Sequence, residues 1–284
     1  MIAMKIAYDI DQAKEVIRGW KAEGLTIGLV PTMGFLHEGH KSLIDCAVAE
    51  NDRVVVSVFV NPTQFAPTED LESYPRDFEA DCALCEAAGA DLVFHPEPPA
   101  MYAADASTTI DAGTPTKELC GKSRPTHFGG VCTVVCKLMN ISEADRAYFG
   151  QKDAQQLAVV RRMVRDLNMN VQVVGCPIIR EEDGLAKSSR NTYLSDDERR
   201  AGLCLSRAIF AGQKMVEEGE TDGDKVIDAM TKIVEEEPLA RIDYIEMVKW
   251  DAITPTRVID GPVLVAMAVY IGRTRLIDNF IWEA

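Results

Sequence analysis

The sequence predicts an α/β protein, with a mostly parallel sheet covered by helices on both faces and a smaller α+β region after it. Over the first two-thirds of the chain, short runs of consecutive apolar residues alternate with stretches in which apolar residues recur at helical spacing. Strands that are apolar on both faces are typical of a parallel sheet buried between helices. After about residue 182 the pattern changes to longer helices followed by strand-like runs.

Five apolar runs are the candidate strands of the parallel sheet. They are LTIGLV (25–30), RVVVSVFV (53–60), DLVFHP (91–96), RAYFG (146–150) and VQVVGCPII (171–179). Helical spacing between them is clearest in HKSLIDCAVAE (40–50) and DAQQLAVVRRMVRDLN (153–168). Strands and helices therefore alternate along this part of the chain.

The later part of the chain predicts a second, smaller domain. A polar, glycine-containing connector, EEDGLAKSSRN (181–191), leads into it. Ser195 is a candidate N-cap with Glu198 at the third helical position, and this helix is expected to run to about Gly219, with another over 222–236. The strand-like runs that follow are RIDYIEMVKW (241–250), VLVAMAVY (263–270) and TRLIDNFIW (274–282).

Composition limits the classes of function. The 284 residues are 47% hydrophobic and 26% charged, as in an ordinary soluble globular protein, and no apolar run is long enough for a membrane helix. No export signal is recognisable at the start, so we expect a cytoplasmic protein with no membrane partner. The formal charge of −15 argues against a nucleic-acid partner. An anionic substrate would therefore need a local cluster of positive groups.

The cysteines are interpreted as thiols in a packed interior. Cys82 and Cys85 have CxxC spacing, but no second ligand pair follows at a spacing suited to zinc, and the segment has helical periodicity. Cys132 and Cys136 lie one helical turn apart in an apolar stretch. The full set is Cys46, Cys82, Cys85, Cys120, Cys132, Cys136, Cys176 and Cys204.

The segment PTMGFLHEGH (31–40) contains two of the four histidines, His37 and His40. It follows a predicted strand and opens a predicted helix, where free backbone N–H groups and a partial positive charge favour an anion. Gly34 and Gly39 would allow a phosphate to approach the backbone. The spacing differs from the HExxH pattern of zinc proteases. A phosphate site is favoured, and two hydrogen-bonded structural histidines remain the alternative.

Two further segments carry cationic groups suited to phosphate. GQKDAQQ (150–156) follows a predicted strand, and Lys152 at a helix start is unfavourable unless an anion lies nearby. Asp153 beside it could hold Mg²⁺. AKSSRN (186–191) offers two hydroxyl groups and Arg190. Each segment alone could be an ordinary solvated loop.

A fourth segment, FVNPTQF (59–65), places polar side chains just after a predicted strand. In open α/β sheets, ligands bind at the carboxyl ends of the strands. Gln64, and Gln156 in GQKDAQQ, could therefore hydrogen-bond a small polar substrate, although each could be an ordinary loop amide. No segment is decisive alone, but a histidine pair at the first helix start, then a helix start with a lysine, then a Ser-Ser-Arg loop is the order typical of a nucleotide-transferring α/β enzyme that surrounds a triphosphate.

These segments also carry a resemblance to a known family. The chain resembles the pantoate–β-alanine ligases of the HxGH nucleotidyltransferase superfamily nearly from end to end. The resemblance implies a Rossmann-like, doubly wound parallel sheet over 1–182 and a smaller C-terminal α+β lid domain over 183–284. The matching segments are PTMGFLHEGH, FVNPTQF, YPRDFEAD, RPTHFGGVCTVVCKL, YFGQKDAQQL and DGLAKSSRNTYLS.

The resemblance implies an AMP-forming acid–amine ligase in pantothenate biosynthesis. Pantoate would attack the α-phosphate of ATP to give pantoyl adenylate, and β-alanine would then displace AMP. His37 and His40 would contact the triphosphate, with His40 as proton donor, while Lys152, Ser188, Ser189 and Arg190 would hold the phosphates. The resemblance also implies a homodimer, and it places the AKSSRN loop at the hinge. Because the context of this loop is polar and contains glycine, we expect the loop to become ordered when ATP binds.

The resemblance assigns further residues to the binding of each substrate. Gln64 and Gln156 would bind pantoate, Gln64 would also bind β-alanine, and Mg²⁺ would lie near Asp153. Tyr74 and His127 are weaker candidates. The residues expected to line the ATP site are Met33, Gly34, Phe35, Leu36, His37, Glu38, Gly39, His40, Gly150, Gln151, Lys152, Asp153, Ile179, Lys187, Ser188, Ser189 and Arg190.

Two positions depart from the family pattern. Lys187 stands where the family usually has Met or Leu, and it either adds a positive charge at the phosphates or, as we slightly favour, points to solvent. HFGG (127–130) replaces an HFDG-like sequence. Three other functions stay open: a cytidylyltransferase that leaves a nucleotide on its product, an ADP-forming ligase, and a nucleotide-binding module without turnover.

Overall fold

The computed structural model describes residues 3–67 and 69–283. Within them, six strands form a parallel sheet in the order β1-β4-β3-β2-β5-β6. The strands are β1 (Lys5–Ala7), β2 (Ile27–Thr32), β3 (Arg53–Val58), β4 (Leu92–Phe94), β5 (Arg146–Gly150) and β6 (Gln172–Cys176). The predicted strands are confirmed, and β1 is an addition at the edge of the sheet.

Helices alternate with these strands and continue beyond them. In chain order they are α1 (Ile10–Ala22), α2 (Glu38–Glu50), α3 (Phe78–Ala88), α4 (Pro98–Met101), α5 (Cys120–Ser123), α6 (His127–Ser142), α7 (Ala154–Asp166), α8 (Asp196–Glu217) and α9 (Gly223–Glu235). None of the helices in the described part of the chain is both long and apolar enough to cross a membrane.

The chain divides into two compact units. The first comprises the described residues up to Ala112 together with Thr126–Gln151 and Val159–Pro177, and it holds the parallel sheet. The second comprises Gly113–Pro125, Lys152–Ala158 and the chain from Ile178 onward. Two short earlier segments therefore join the second unit, so the single division after residue 182 stays a prediction.

The parallel sheet fixes where the first unit can present a site. Strands β2 and β3 pair in register from Ile27 with Arg53 to Thr32 with Val58, and β5 lies on the other side of β2. Most side chains of β2 and β3 are buried, and most of the buried ones are aliphatic. Because the three strands are parallel, the segments that follow them leave from one edge of the sheet.

The second unit has an antiparallel sheet covered by two helices. Within the described residues, four strands are ordered β10-β9-β7-β8, with bounds β7 (Ala240–Lys249), β8 (Thr254–Pro255), β9 (Val263–Ile271) and β10 (Thr274–Trp282). Helices α8 and α9 bury apolar residues against this sheet. Ser195 and Glu198 form the predicted capping box of α8. The predicted α+β region is confirmed, and β8 is an addition.

Candidate active site

His37 and His40 are joined by reciprocal hydrogen bonds at the start of α2. His37 is the N-cap, and its Nδ1 accepts from the backbone N–H of Gly39 over 3.1 Å. The backbone N–H of His37 donates in turn to Nδ1 of His40 over 3.3 Å. The two ring centroids lie 4.1 Å apart. The histidines therefore take the roles that Ser and Glu fill in an ordinary capping box.

These bonds determine which ring nitrogen carries the proton. A backbone N–H can only donate, so Nδ1 is an acceptor in both His37 and His40. The neutral rings then carry their proton on Nε2, and each can donate from that atom. With the backbone N–H groups at the start of α2, they form a set of donors suited to phosphate oxygens.

A left-handed turn precedes the histidine pair. Gly34 has φ +85° and Phe35 has φ +52°. The buried carboxylate of Asp81, in α3, accepts from the backbone N–H of Phe35 over 2.9 Å and from that of Leu36 over 2.6 Å. A Cβ on Gly34 would lie 2.9 Å from Oδ2 of Asp81, so glycine is required there. No local pattern in the sequence marks Asp81 as part of this turn.

Gln64 is held in a defined orientation after β3. Asn61 caps the 3₁₀ turn Pro62–Gln64, and its Nδ2 donates to Oε1 of Gln64 over 3.1 Å. The Nε2 group of Gln64 lies 3.0 Å from Sδ of Met33. The carbonyl of Gln64 contacts Nδ1 of His127 at 2.9 Å. The first unit therefore brings Gln64 next to the segment that carries the histidines.

In the HFGG segment, the two glycines have different amounts of space around them where α6 packs against this turn. A Cβ on Gly130 would lie only 2.4 Å from the carbonyl oxygen of Thr63, so glycine is required there. A Cβ on Gly129 would meet nothing closer than the carbonyl oxygen of Ile110 at 3.9 Å. The residue that departs from the family pattern therefore stands where a side chain and its absence are both tolerated.

The two weaker candidates are largely buried within the first unit. Tyr74 packs edge-on against Phe65, with ring centroids 6.0 Å apart. His127 lies at the start of α6 and packs against Phe128. Burial and ring packing indicate a structural contribution from Tyr74, whereas His127 supports the Gln64 turn directly.

Lys152 lies in the second unit, in a 3₁₀ turn that precedes α7. The predicted helix start is therefore displaced, because Gln151–Asp153 form the 3₁₀ turn and α7 begins at Ala154. The Lys152 ammonium lies 3.8 Å from the Asp153 carboxylate. The carbonyl of Lys152 accepts from Nδ2 of Asn279 in β10 over 2.8 Å. No local pattern in the sequence marks Asn279 as a partner of Lys152.

The adjacent residues Gln155 and Gln156 have different environments. Gln155 is buried and bridges to the carbonyls of Pro115 and Glu118 and to the N–H of Cys120. Gln156 is only partly buried. The residue assigned to substrate is thus the one that retains exposure.

The AKSSRN segment is structured rather than an open loop. Ser188 caps the 3₁₀ turn Ser189–Tyr193, and its Oγ accepts from the backbone N–H of Arg190 over 3.3 Å. The segment leading to it is fixed by Arg180, which makes two hydrogen bonds to Asp278 in β10. Asp278 and Asn279 are neighbours, so the middle of β10 anchors both this segment and the Lys152 turn.

Lys187 does not point to solvent, which corrects the expectation that we slightly favoured. Its Nζ lies 3.1 Å from Oε2 of Glu181, and both side chains are mostly shielded. Its backbone N–H donates to the carbonyl of Ile179 over 2.9 Å. Ile179 and Lys187 therefore pair across a short hairpin, closed by the bridge between Arg180 and Ala186.

The predicted site residues are distributed over the two units. Met33, the histidine pair, Gln64 and Gly150 with Gln151 belong to the first, and the second holds Lys152, Asp153, Gln156, Ile179, Lys187, Ser188, Ser189 and Arg190. No group of three or more His, Cys, Asp or Glu side chains suited to a metal occurs among residues 3–67 and 69–283. Fold and site together define a doubly wound α/β protein with phosphate-suited donors at the carboxyl edge of its sheet.

Comparisons with known proteins identify the family. A family model described as pantoate–β-alanine ligase matches residues 5–281. A pantothenate synthetase from Ruminiclostridium cellulolyticum is 59% identical over 277 residues, covering 98% of each chain. One from Enterococcus faecalis is 55% identical over 280 residues, covering 99% of each. The chain belongs to the pantoate–β-alanine ligase family.

Solved structures agree with the fold. A pantothenate synthetase from Thermus thermophilus superposes with a TM-score of 0.91 at 41% identity, over 98% of this chain and 99% of that one. A pantoate–β-alanine ligase from Francisella tularensis, complexed with β,γ-ATP and β-alanine, gives a TM-score of 0.79 at 32% identity, over 98% of each chain. Both similarities extend over nearly the full length.

Proposed function

We propose that this chain catalyses the ATP-dependent ligation of pantoate and β-alanine to pantothenate, with release of AMP and pyrophosphate. The observation that carries the proposal is the placement of His37 and His40 at the start of α2, where Nδ1 of each ring accepts from a backbone N–H and so leaves Nε2 as the donor. Membership of the family supports it, as does the β,γ-ATP and β-alanine complex of the Francisella relative.

The reaction proceeds in two displacements. A carboxylate oxygen of pantoate attacks the α-phosphorus of ATP, the bond to the bridging oxygen breaks, and pyrophosphate leaves. The amine of β-alanine then attacks the acyl carbon of pantoyl adenylate, AMP leaves, and the amine loses a proton. The protein must stabilise the charge that develops on the transferred and leaving phosphates, and it must hold the reactants in line.

His37 and His40 contact the triphosphate in this proposal, and His40 serves as proton donor to the leaving pyrophosphate. Both functions fit a ring that carries its proton on Nε2. Lys152 supplies a positive charge, and Arg190 can form two parallel hydrogen bonds to a phosphate. Ser188 and Ser189 donate from their hydroxyl groups. The remaining residues of the ATP site are Met33, Gly34, Phe35, Leu36, Glu38, Gly39, Gly150, Gln151, Asp153, Ile179 and Lys187. Lys187 lines the site without holding a phosphate, because its ammonium is engaged by Glu181.

Gln64 and Gln156 bind pantoate, and Gln64 also meets β-alanine. Because Asn61 donates to Oε1 of Gln64, the amide presents its Nε2–H group as a donor. Pantoate offers only oxygens, so a fixed donor suits its carboxylate and hydroxyl groups.

Mg²⁺ is expected to enter with ATP, near Asp153. The Asp153 carboxylate is about half exposed, with 51% of the side chain accessible. One carboxylate, with phosphate oxygens and water completing the coordination, is the usual way in which proteins bind Mg²⁺ with a nucleotide. Bound there, the ion would neutralise phosphate charge.

The identity of the nucleotide product tests the proposal. With Mg-ATP, pantoate and β-alanine, we expect AMP to form only when both acids are present. ADP, or a nucleotide retained on the organic product, would overturn it.

Lys152→Ala should lower the rate by orders of magnitude in a folded protein, whereas Lys214→Ala on the exposed face of α8 should not. Activity of Lys152→Ala within about tenfold of wild type, roughly 1.4 kcal/mol, would remove Lys152 from the phosphate site.

Three further expectations belong to this proposal. The smaller domain acts as a lid, and ATP with pantoate protects AKSSRN from proteolysis; equal cleavage with and without them would contradict this. The protein is a homodimer, which light scattering would show as twice the chain mass. It works in the cytoplasm, where fractionation should find it.

A further inference from the structure

We propose that Asp81 is a positioning residue for the histidine pair, and this inference rests on the proposed function. Asp81 lies in the first turns of α3, more than forty residues along the chain from the histidines. Its two carboxylate oxygens accept separate hydrogen bonds, one from the N–H of Phe35 and one from that of Leu36. The carboxylate thus binds the N–H groups of the two consecutive residues directly before His37.

The gripped turn has a conformation that the chain does not favour by itself. Phe35 has φ +52°, and a left-handed conformation costs a residue with a Cβ roughly 1–2 kcal/mol. Gly34 before it also has positive φ, at +85°. Hydrogen bonds from backbone N–H groups to a carboxylate are among the stronger ones in proteins, and here they offset this cost.

The turn determines where α2 begins. Leu36 directly precedes the N-cap His37, so the bond from Leu36 to Asp81 fixes the entry of the chain into the helix. If the turn relaxed, the N-cap would shift, and the bonds in which Nδ1 of each histidine accepts from a backbone N–H would be lost. Asp81 therefore acts on ATP through the backbone, without touching it.

Charge and geometry make opposite predictions for Asp81→Asn. Removing a negative charge near a polyanionic substrate should by itself strengthen the binding of ATP. The same change replaces one acceptor oxygen by an NH₂ group that faces a backbone N–H donor, and the turn loses one of its two bonds. If ATP interacts more weakly with Asp81→Asn than with wild type, the altered turn outweighs the removal of the charge.

Asp77 supplies a matched control on the same helix. It is the N-cap of α3, where its carboxylate accepts from the backbone N–H of Ala80 over 3.0 Å. Asp77→Ala should cost about 1 kcal/mol of stability through loss of the cap. Asp77→Ala leaves the two bonds between Asp81 and the turn in place. It therefore shows the effect of destabilising α3 without disturbing the turn.

The experiment compares wild type, D81N, D81A and D77A below the melting temperature of each. We expect kcat/KM for ATP to fall at least tenfold in D81N and further in D81A, and to stay within twofold of wild type in D77A. Hydrogen exchange without ATP should be faster over residues 33–40 in D81N than in D77A. Equal kinetic constants in D81N and D77A, or unchanged exchange over 33–40 in D81N, would overturn the proposal.

The two readouts separate this inference from the function on which it rests. If wild type formed no AMP, the proposed function would fail, yet the exchange measurement would still decide whether Asp81 holds the turn. If wild type is active and D81N exchanges as wild type does, only the role of Asp81 is rejected.

Discussion

The side chain of Asn279 donates a hydrogen bond to the main-chain carbonyl of Lys152 over 2.8 Å, joining residues 127 positions apart. Asn279 is buried in the middle of β10, and it follows Asp278, which binds Arg180. Two neighbouring residues of one strand therefore fix both cationic segments of the second unit.

Replacing Asn279 should weaken this anchor. Asn279→Ala removes the donor to a carbonyl in a partly buried setting, so we expect a loss of about 1–3 kcal/mol in the free energy of unfolding. We also expect kcat/KM for ATP to fall at least tenfold, because the Lys152 turn loses its tether. Urea denaturation and steady-state kinetics measure both. Asn140→Ala, exposed on α6, is the control, and equal kinetics in the two variants would contradict the expectation.

Gly130 and Gly129 form a pair that tests the Gln64 turn. Gly130→Ala would place a Cβ 2.4 Å from the carbonyl oxygen of Thr63, so the turn must move. We expect KM for pantoate to rise at least tenfold. Gly129→Ala adds the same methyl group with its nearest neighbour at 3.9 Å, and KM should stay within twofold. Similar KM values for both variants would show that the contact does not control Gln64.

Lys187→Met introduces the residue that the family usually has. Because Glu181 engages the Lys187 ammonium, we expect KM for ATP to change less than threefold. The loss of stability should be at most about 1 kcal/mol, as for ion pairs with access to solvent. Arg190→Ala is the comparison, with a much larger rise in KM expected. A tenfold rise in Lys187→Met would instead assign Lys187 to the phosphates.

Asp145 should contribute to stability only above acidic pH. Burial acts to raise the pKa of its carboxyl, but hydrogen bonds from Lys21 and the N–H of Ile27 outweigh it, and the pKa lies below its ordinary value. A lowered pKa in the folded state gives stability that is present above the unfolded value and lost as pH falls through the folded one. Asp145→Asn should therefore flatten the decline of the urea midpoint below about pH 4. Asp228→Asn, exposed on α9, should decline as wild type does.

Cys85 and Cys132 should be almost inert in the native protein. Burial raises the pKa of each thiol to about 12, so very little thiolate, the reactive form, exists at pH 8. We expect alkylation by iodoacetamide at least a hundredfold slower than in protein unfolded in urea, with peptide mass spectrometry as the readout. Labelling of Cys85 at the unfolded rate would show that α3 opens readily.

The sequence was sufficient for features that depend on nearby residues. Alternating apolar runs predicted five of the six strands of the parallel sheet, and the spacing of Ser195 and Glu198 predicted a capping box. The same local reasoning placed the histidines at a helix start. Strand β1 was missed because three residues carry too little pattern.

Contacts between distant residues could not be predicted in this way. Asp81 stands in an ordinary acidic stretch at a helix start, and nothing local indicates that its carboxylate meets a backbone turn more than forty residues earlier. Asn279 likewise stands in a plain strand pattern. Lys187 was misjudged for the same reason, since its partner Glu181 is defined by a hairpin that periodicity does not reveal.

The bond from Asn279 reaches the main chain of residue 152 and leaves its side chain alone. Every amino acid supplies that carbonyl, so the hydrogen bond from Asn279 would remain if Lys152 were replaced. The identity of the group offered from position 152 can therefore change by single substitutions without dismantling its support. The side chain at position 152 can therefore be exchanged for arginine, histidine or an unnatural amine while the surrounding fold is kept constant.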